Sequence, residues 1–174
     1  MSIIPISQMP AAPMKRIIVH WTAGGHIASS LDREHYHFLV EGDLDVIRGH
    51  LPITANVPPL REGKYAAHTR GCNSYSIGVS ACGMVGAVES PFNAGRAPIS
   101  EAQFKKLAEV VACLAKRYGI PVTDKTVLTH AEVQPNLGIK QSGKWDIARL
   151  AFDLNTRGPK PVGDKFRALV KAFM

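Results

Sequence analysis

Cysteine is scarce in this chain. There are three thiols, Cys72, Cys82 and Cys113, an odd number with no CxxC pair. That argues against a disulfide framework and against a structural zinc site built from cysteines alone. Cys82 and Cys113 lie in apolar segments and read as buried thiols. No long apolar run is present, so no membrane-spanning helix is expected. The first fourteen residues carry three prolines and no basic stretch ahead of their few apolar side chains, and they do not read as a signal peptide. The expectation is synthesis in the cytoplasm without a Sec-type export signal. A dense basic stripe is missing too. The formal charge of +7 is spread along the chain, with short clusters at Lys105-Lys106, at Lys116-Arg117 and within 140–144. Without an aromatic stacking platform or a recognition helix, this charge does not describe a nucleic-acid binder. It reads either as a mild attraction to a polyanion or as a solvated surface with no partner.

What remains is an ordinary globular composition, 45% hydrophobic over 174 residues, enough for one domain with one core. Residues 1–15 read as an N-terminal arm and residues 16–174 as the domain. Strands are expected at 16–22, 36–41, 44–48, 76–81 and 126–130, with Gly42-Asp43 as a hairpin turn. A short helix is expected at 29–35 with Ser30 as its cap, and loops are expected at 51–66 and 83–95. The clearest helix covers about 100–118. Ser100 and Gln103 form a capping pattern, and Phe104, Leu107, Ala108, Val111, Leu114, Ala115 and Tyr118 share one face. Gly119 and Pro121 end it. Helices are also expected at 147–154 and 165–173, with a Pro/Gly-rich loop at 157–164. Strands alternating with helices indicate an α/β fold, a single domain with a central mixed sheet flanked by helices.

Two of the apolar runs end in histidine: Ile17-Ile18-Val19-His20 and Thr126-Val127-Leu128-Thr129-His130. A buried strand that stops at a histidine delivers an imidazole to the edge of the sheet. Asp146 follows in Gly143-Lys144-Trp145-Asp146. Two histidines and one carboxylate suit a catalytic zinc ion with an open fourth position. Each residue also has an ordinary reading, a hydrogen-bonded structural histidine or an aspartate capping a helix. There is no HExxH, so spacing alone does not choose between them.

Five segments in order carry a resemblance. They are Ile17-Ile18-Val19-His20-Trp21-Thr22-Ala23, Tyr36-His37-Phe38-Leu39-Val40, and Ala67-His68 with Asn73 and Ser76-Ile77-Gly78-Val79. The last two are Thr129-His130-Ala131-Glu132-Val133 and Lys144-Trp145-Asp146. Together they resemble the zinc-dependent N-acetylmuramoyl-L-alanine amidases of type 2, the group of phage endolysins and peptidoglycan recognition proteins, over roughly 16–154. The resemblance implies a zinc site at one sheet edge, held by His20, His130 and Asp146. It implies cleavage of the amide between N-acetylmuramic acid and L-alanine. Lys144 would stabilise the oxyanion, and Tyr36 would orient water or shuttle its proton. His68, Asn73 and Trp21 would line the substrate groove. Peptidoglycan is then the partner, with no nucleic acid, no stable membrane insertion and a monomeric state. The mild basic surface would help the protein reach an acidic cell wall after release.

The sequence departs from the family pattern in places. Many relatives carry a carboxylate as general base just after the Ser-Ile-Gly-Ile stretch, where this chain has Ser80. Ile147 replaces a proline after the third ligand. The interval from His130 to Asp146 is long, which leaves Asp153 and Glu132 as competing ligands. An endolysin is the first reading. A cytoplasmic amidase recycling muropeptides and a non-catalytic peptidoglycan-binding module are the alternatives.

Overall fold

Strands Arg16–Trp21 (β1) and Ser76–Ala81 (β4) are buried nearly throughout, as central strands of a parallel sheet must be when both faces are covered. In the computed structural model, which describes residues 3–174, they pair in parallel, with His20 opposite Ser80. Val127–Thr129 (β5) pairs in parallel with the other side of β1, and Phe38–Val40 (β2) with the other side of β4. Val46–Arg48 (β3) returns antiparallel to β2 through the expected turn. The mixed five-stranded sheet therefore runs β3-β2-β4-β1-β5.

Alternation along the strands divides the interior. Ile17, Val19 and Trp21 of β1 join Ile77 and Val79 of β4 in the main core. Helices Glu101–Tyr118 (α2) and Pro159–Ala172 (α4) cover it with Phe104, Leu107, Leu114, Val162 and Phe166. Ile18 belongs to a smaller cluster with Cys72, Leu128 and Val133, beneath helix His130–Leu137 (α3). His20 shares the Ile18 side of β1 by the two-residue period. Near the N-terminus, residues 6–8 make a single 3-10 turn, and Ile4, Met9 and Met14 are buried against the main core.

Helix α2 has the cap expected from sequence: Ser100 Oγ accepts from the Gln103 N–H, and Gly119 closes the helix in the left-handed region. Four expectations are corrected. Helix α1 spans Ser30–His35, and its cap is Ser29, whose hydroxyl accepts from the Asp32 N–H. The strand expected to end at His130 stops at Thr129, and His130 opens α3. Residues 147–154 form turns instead of a helix. Their backbone bridges Arg149 to Arg157, and the Ala148 carbonyl accepts from the Gly158 N–H. Helix α4 begins at Pro159, six residues before the expected start, because prolines in a first turn forfeit only N–H groups that lack a helical partner. The 51–66 loop also contains a short 3-10 segment, Ile53–Asn56. Among the described residues, no helix is long and apolar enough to cross a membrane.

Candidate metal centre and cleft

The topology brings three distant residues to the carboxyl ends of β1 and β5, the end where open parallel sheets bind ligands. His20 is the penultimate residue of β1, His130 is the first residue of α3, and Asp146 comes from the following loop. The Ala131 N–H donates to the Asp146 backbone carbonyl at 2.7 Å, tying that loop to the start of α3. His20 Nδ1 lies 3.1 Å from His130 Nδ1 and 3.1 Å from Asp146 Oδ2. His130 Nδ1 lies 3.2 Å from Asp146 Oδ1. All three residues are buried.

These separations test the fit of a metal. A tetrahedral ion bonded at about 2.0–2.1 Å to each ligand sets the ligands roughly 3.3 Å apart. The three edges of the triangle lie close to that value, and imidazole plus carboxylate is a donor set zinc accepts. His20, His130 and Asp146 therefore fit a zinc ion. The two competing carboxylates do not reach the triangle. Glu132 receives a two-pronged ion pair from Arg167 at 2.8 and 2.9 Å and accepts from the Thr129 N–H. Asp153 is bound to Lys165 and Thr156.

Electrostatics around the triangle are strongly perturbed. Burial drives the His20 imidazole down to about 4 despite the opposing influence of the Asp146 carboxylate beside it. Burial also pulls His130 down, but Asp146 and Gln141 outweigh it and the net shift is upward. Burial would raise Asp146, yet the two adjoining imidazoles outweigh it and hold the carboxyl at about 2. The carboxylate is therefore ionised at neutral pH. Lys144, exposed, lies near enough for its charge to lower both imidazoles.

The triangle opens into a cleft of about 830 Å³. Trp21, Tyr36, His68, Asn73 and Lys144 all line it, as do His130 and Asp146. Trp21 meets Trp145 edge to face, with ring centroids 4.7 Å apart. The Tyr36 ring lies 5.1 Å from that of His20, and burial, reinforced by Asp146, pushes its phenol well above the usual range. Tyr36 therefore stays protonated and acts as a donor. Asn73 Oδ1 accepts from the N–H groups of His68 and Thr69, so it braces the loop while facing the cleft. Ser80 is fully buried opposite His20, and its hydroxyl lies near enough to Tyr36 to oppose slightly the upward shift of the phenol. His37 turns away from Tyr36, accepting from the Gly78 N–H and donating to Asn56 Oδ1. A second cavity of about 670 Å³ adjoins the cleft through His35, Tyr65 and Ala67.

Two buried residues at the site had no counterpart in the sequence reading. Thr69 Oγ1 lies 3.3 Å from His20 Nε2, and Gln141 Oε1 lies 2.7 Å from His130 Nε2. Thr69 follows His68 directly, so its neighbourhood was marked by the motif. Gln141 carries no local signal, because only closure of the 138–146 loop brings it to His130.

The family described as N-acetylmuramoyl-L-alanine amidase (Amidase_2) matches residues 10–148. No curated protein matches the chain. Among solved structures, the chain is similar to the Ph2119 endolysin from the Thermus scotoductus MAT2119 bacteriophage Ph2119. Identity is 21%, coverage is 78% of this chain and 82% of that one, and the TM-score is 0.47. It is similar to bumblebee PGRP-SA at 16% identity, covering 69% and 71%, with a TM-score of 0.47. It is also similar to the N-acetylmuramoyl-L-alanine amidase LysC from Clostridium intestinale URNW at 16% identity, covering 74% and 87%, with a TM-score of 0.44.

Proposed function

The chain belongs to the N-acetylmuramoyl-L-alanine amidase family, and from that premise we propose that it hydrolyses the amide joining N-acetylmuramic acid to L-alanine in peptidoglycan. His20, His130 and Asp146 would hold a zinc ion. The observation that carries this reading is the convergence of two imidazole Nδ1 atoms and one carboxylate, 3.1–3.2 Å apart, at the side of an open cleft. When bound, zinc supplies the Lewis acidity that acidifies water to a pKa of about 7 and polarises an amide carbonyl.

The remaining work falls to side chains of the cleft. Asp146 stays ionised, which would balance the metal charge, while burial keeps His20 neutral against the pull of that carboxylate. The Lys144 ammonium stabilises the oxyanion that develops on the amide carbonyl. Tyr36, held as a phenol, donates a hydrogen bond that orients water or substrate. Trp21 offers a flat apolar face, and His68 and Asn73 border the path of the substrate. Ser80 cannot serve as a carboxylate base, so proton transfer falls to Lys144, Tyr36 or the activated water. The muropeptide-recycling relatives generally carry a glutamate where this chain has Ser80, which favours lysis of the polymeric wall, as by an endolysin, over turnover of soluble fragments.

The test is mass spectrometry of purified peptidoglycan after incubation with the protein, with and without a zinc chelator. Stem peptides with a free L-alanine N-terminus are expected, with their release abolished by chelation and by Asp146→Ala. Intact sacculi should be a better substrate than soluble muropeptides. Retention of the protein on sacculi without any release would make it a binding module. Fragments of the sugar chain would show that the assigned bond is wrong.

A further inference from the structure

Every hydrogen bond behind the two histidines can be given a direction, because each chain of bonds ends on a backbone carbonyl that only accepts. His68 Nε2 lies 3.3 Å from the Ser76 carbonyl oxygen, so it carries the proton. His68 Nδ1 is then an acceptor, and the Thr69 hydroxyl, 2.8 Å away, donates to it. Having spent its only proton, Thr69 Oγ1 must accept from His20 Nε2–H at 3.3 Å. The second chain is shorter. The Gln141 side-chain amide donates through Nε2 to the Arg70 carbonyl at 2.8 Å. That fixes the amide orientation, so Gln141 Oε1 accepts from His130 Nε2–H at 2.7 Å. An imidazole that ligates a metal is neutral and carries one proton. Both Nδ1 atoms therefore present bare lone pairs to each other and to Asp146 across 3.1–3.3 Å. Three acceptors converging in a buried pocket repel one another unless a cation lies between them.

We infer that Thr69 and Gln141 are positioning residues that lock His20 and His130 in the Nε2–H tautomer, so that both bind the metal through Nδ1, with His68 terminating the Thr69 relay. The inference rests on the zinc reading above. Its local architecture is specific. The Thr69 N–H is pinned by Asn73 Oδ1 at 2.9 Å, and the Gln141 N–H by Gln134 Oε1 at 2.9 Å, so neither side chain drifts with a loose backbone. Gly78 leaves room for the relay. A Cβ there would lie 2.4 Å from the His68 ring. Partners of this kind fix ring orientation and raise ligand basicity, and losing one costs roughly 10–100-fold in metal affinity.

The test uses the full chain stripped of metal and titrated with zinc against a competing chromophoric chelator. Thr69→Val and Gln141→Leu should each weaken zinc binding roughly 10–100-fold. Thr69→Ser keeps the hydroxyl and should stay within about threefold of wild type, well short of that loss. Nitrogen-15 NMR of the imidazoles in the zinc-loaded wild type needs no variant. It should show both ligand histidines protonated at Nε2, with their Nδ1 resonances displaced by the metal. In metal-free Thr69→Val at a pH where imidazoles are neutral, His20 should become a mixture of tautomers. Coordination through Nε2, or wild-type affinity in both Thr69→Val and Gln141→Leu, would overturn the inference. Absence of stoichiometric zinc binding by the wild type would instead overturn the zinc reading on which it rests.

Discussion

Lys144 lines the cleft and His37 lies buried behind it, and their surroundings give these two basic residues opposite uses. Lys144 is exposed and lines the cleft two residues before Asp146. Lys144→Met removes the proposed oxyanion partner while keeping the length of the side chain. The rate constant kcat should fall roughly 10²–10³-fold with KM little changed, because the interaction is made in the transition state. Steady-state kinetics on a soluble muropeptide measure this, and a change confined to KM would reassign Lys144 to substrate binding. His37 is buried and neutral, pushed down to about 4 by burial even though Asn56 and Gly78 support it. As pH falls below the ordinary histidine value of about 6.5, the unfolded chain takes up a proton that folded His37 refuses. Stability contributed by this residue is therefore lost between about pH 6.5 and pH 4 and changes no further below that window. The loss amounts to about 3 kcal/mol when complete. Urea unfolding at pH 7 and pH 4.5 should show a smaller acid loss for His37→Gln than for wild type, by roughly 2–3 kcal/mol. The contribution of any bound metal is common to both proteins.

Helix α3 decides where His130 sits, and an ion pair on its far side holds the helix. Glu132 is buried, accepts from the Thr129 N–H at the helix start, and binds both terminal nitrogens of Arg167 from α4. The backbone of α4 is pressed against this pair, since a Cβ on Gly163 would lie 2.1 Å from Glu132 Oε1. Arg167→Met strands the Glu132 carboxylate in the interior and should cost about 3–5 kcal/mol, whereas Glu132→Leu combined with Arg167→Met should cost less than the sum of the single changes. Chemical denaturation of the three variants measures both numbers, and additive costs would show that the two side chains act separately. Much of the framework around this pair was legible in the sequence. The strand expected at 16–22 and found at Arg16–Trp21, the hairpin over Gly42-Asp43 and α2 with its caps all follow from local period and punctuation. Helix α3 was hidden because a β-branched run flows straight into it and Pro135 interrupts it, although Thr129 and Glu132 have the spacing of a capping box. Segment 147–154 misled in the other direction. Its apolar spacing suits a helix, but its backbone pairs with residue 157, a tertiary contact that no local pattern encodes. The His20, His130 and Asp146 set was legible as an ordered pattern of motifs. Its supports at Thr69 and Gln141 were not, because they depend on loop closure.

Across the whole molecule the charge is +7, from 21 Lys and Arg against 14 Asp and Glu spread along the chain. Lys105, Lys106, Lys160 and Lys165 each face a carboxylate at 2.5–3.2 Å, so at a distance these pairs largely cancel. Arg70 and Lys144 line the cleft, and among the described residues neither has an ion-pair partner. Of the spread charge, these two are the ones placed to steer an anionic polymer into the cleft itself. Arg70→Glu is expected to lower kcat/KM on intact sacculi roughly tenfold at low ionic strength, through slower encounter. Near 1 M salt the Debye length shrinks to about 3 Å, and the difference between variant and wild type should nearly vanish. Lys105→Glu, a reversal of equal size on α2 and away from the cleft lining, should change the rate far less. A small soluble muropeptide carries few charges and should respond weakly to both substitutions. Rates measured on both substrates across a salt series separate the possible roles of Arg70. A loss that persists at high salt and is equal on the two substrates would mean that Arg70 touches the stem peptide directly and does not steer the polymer toward the cleft.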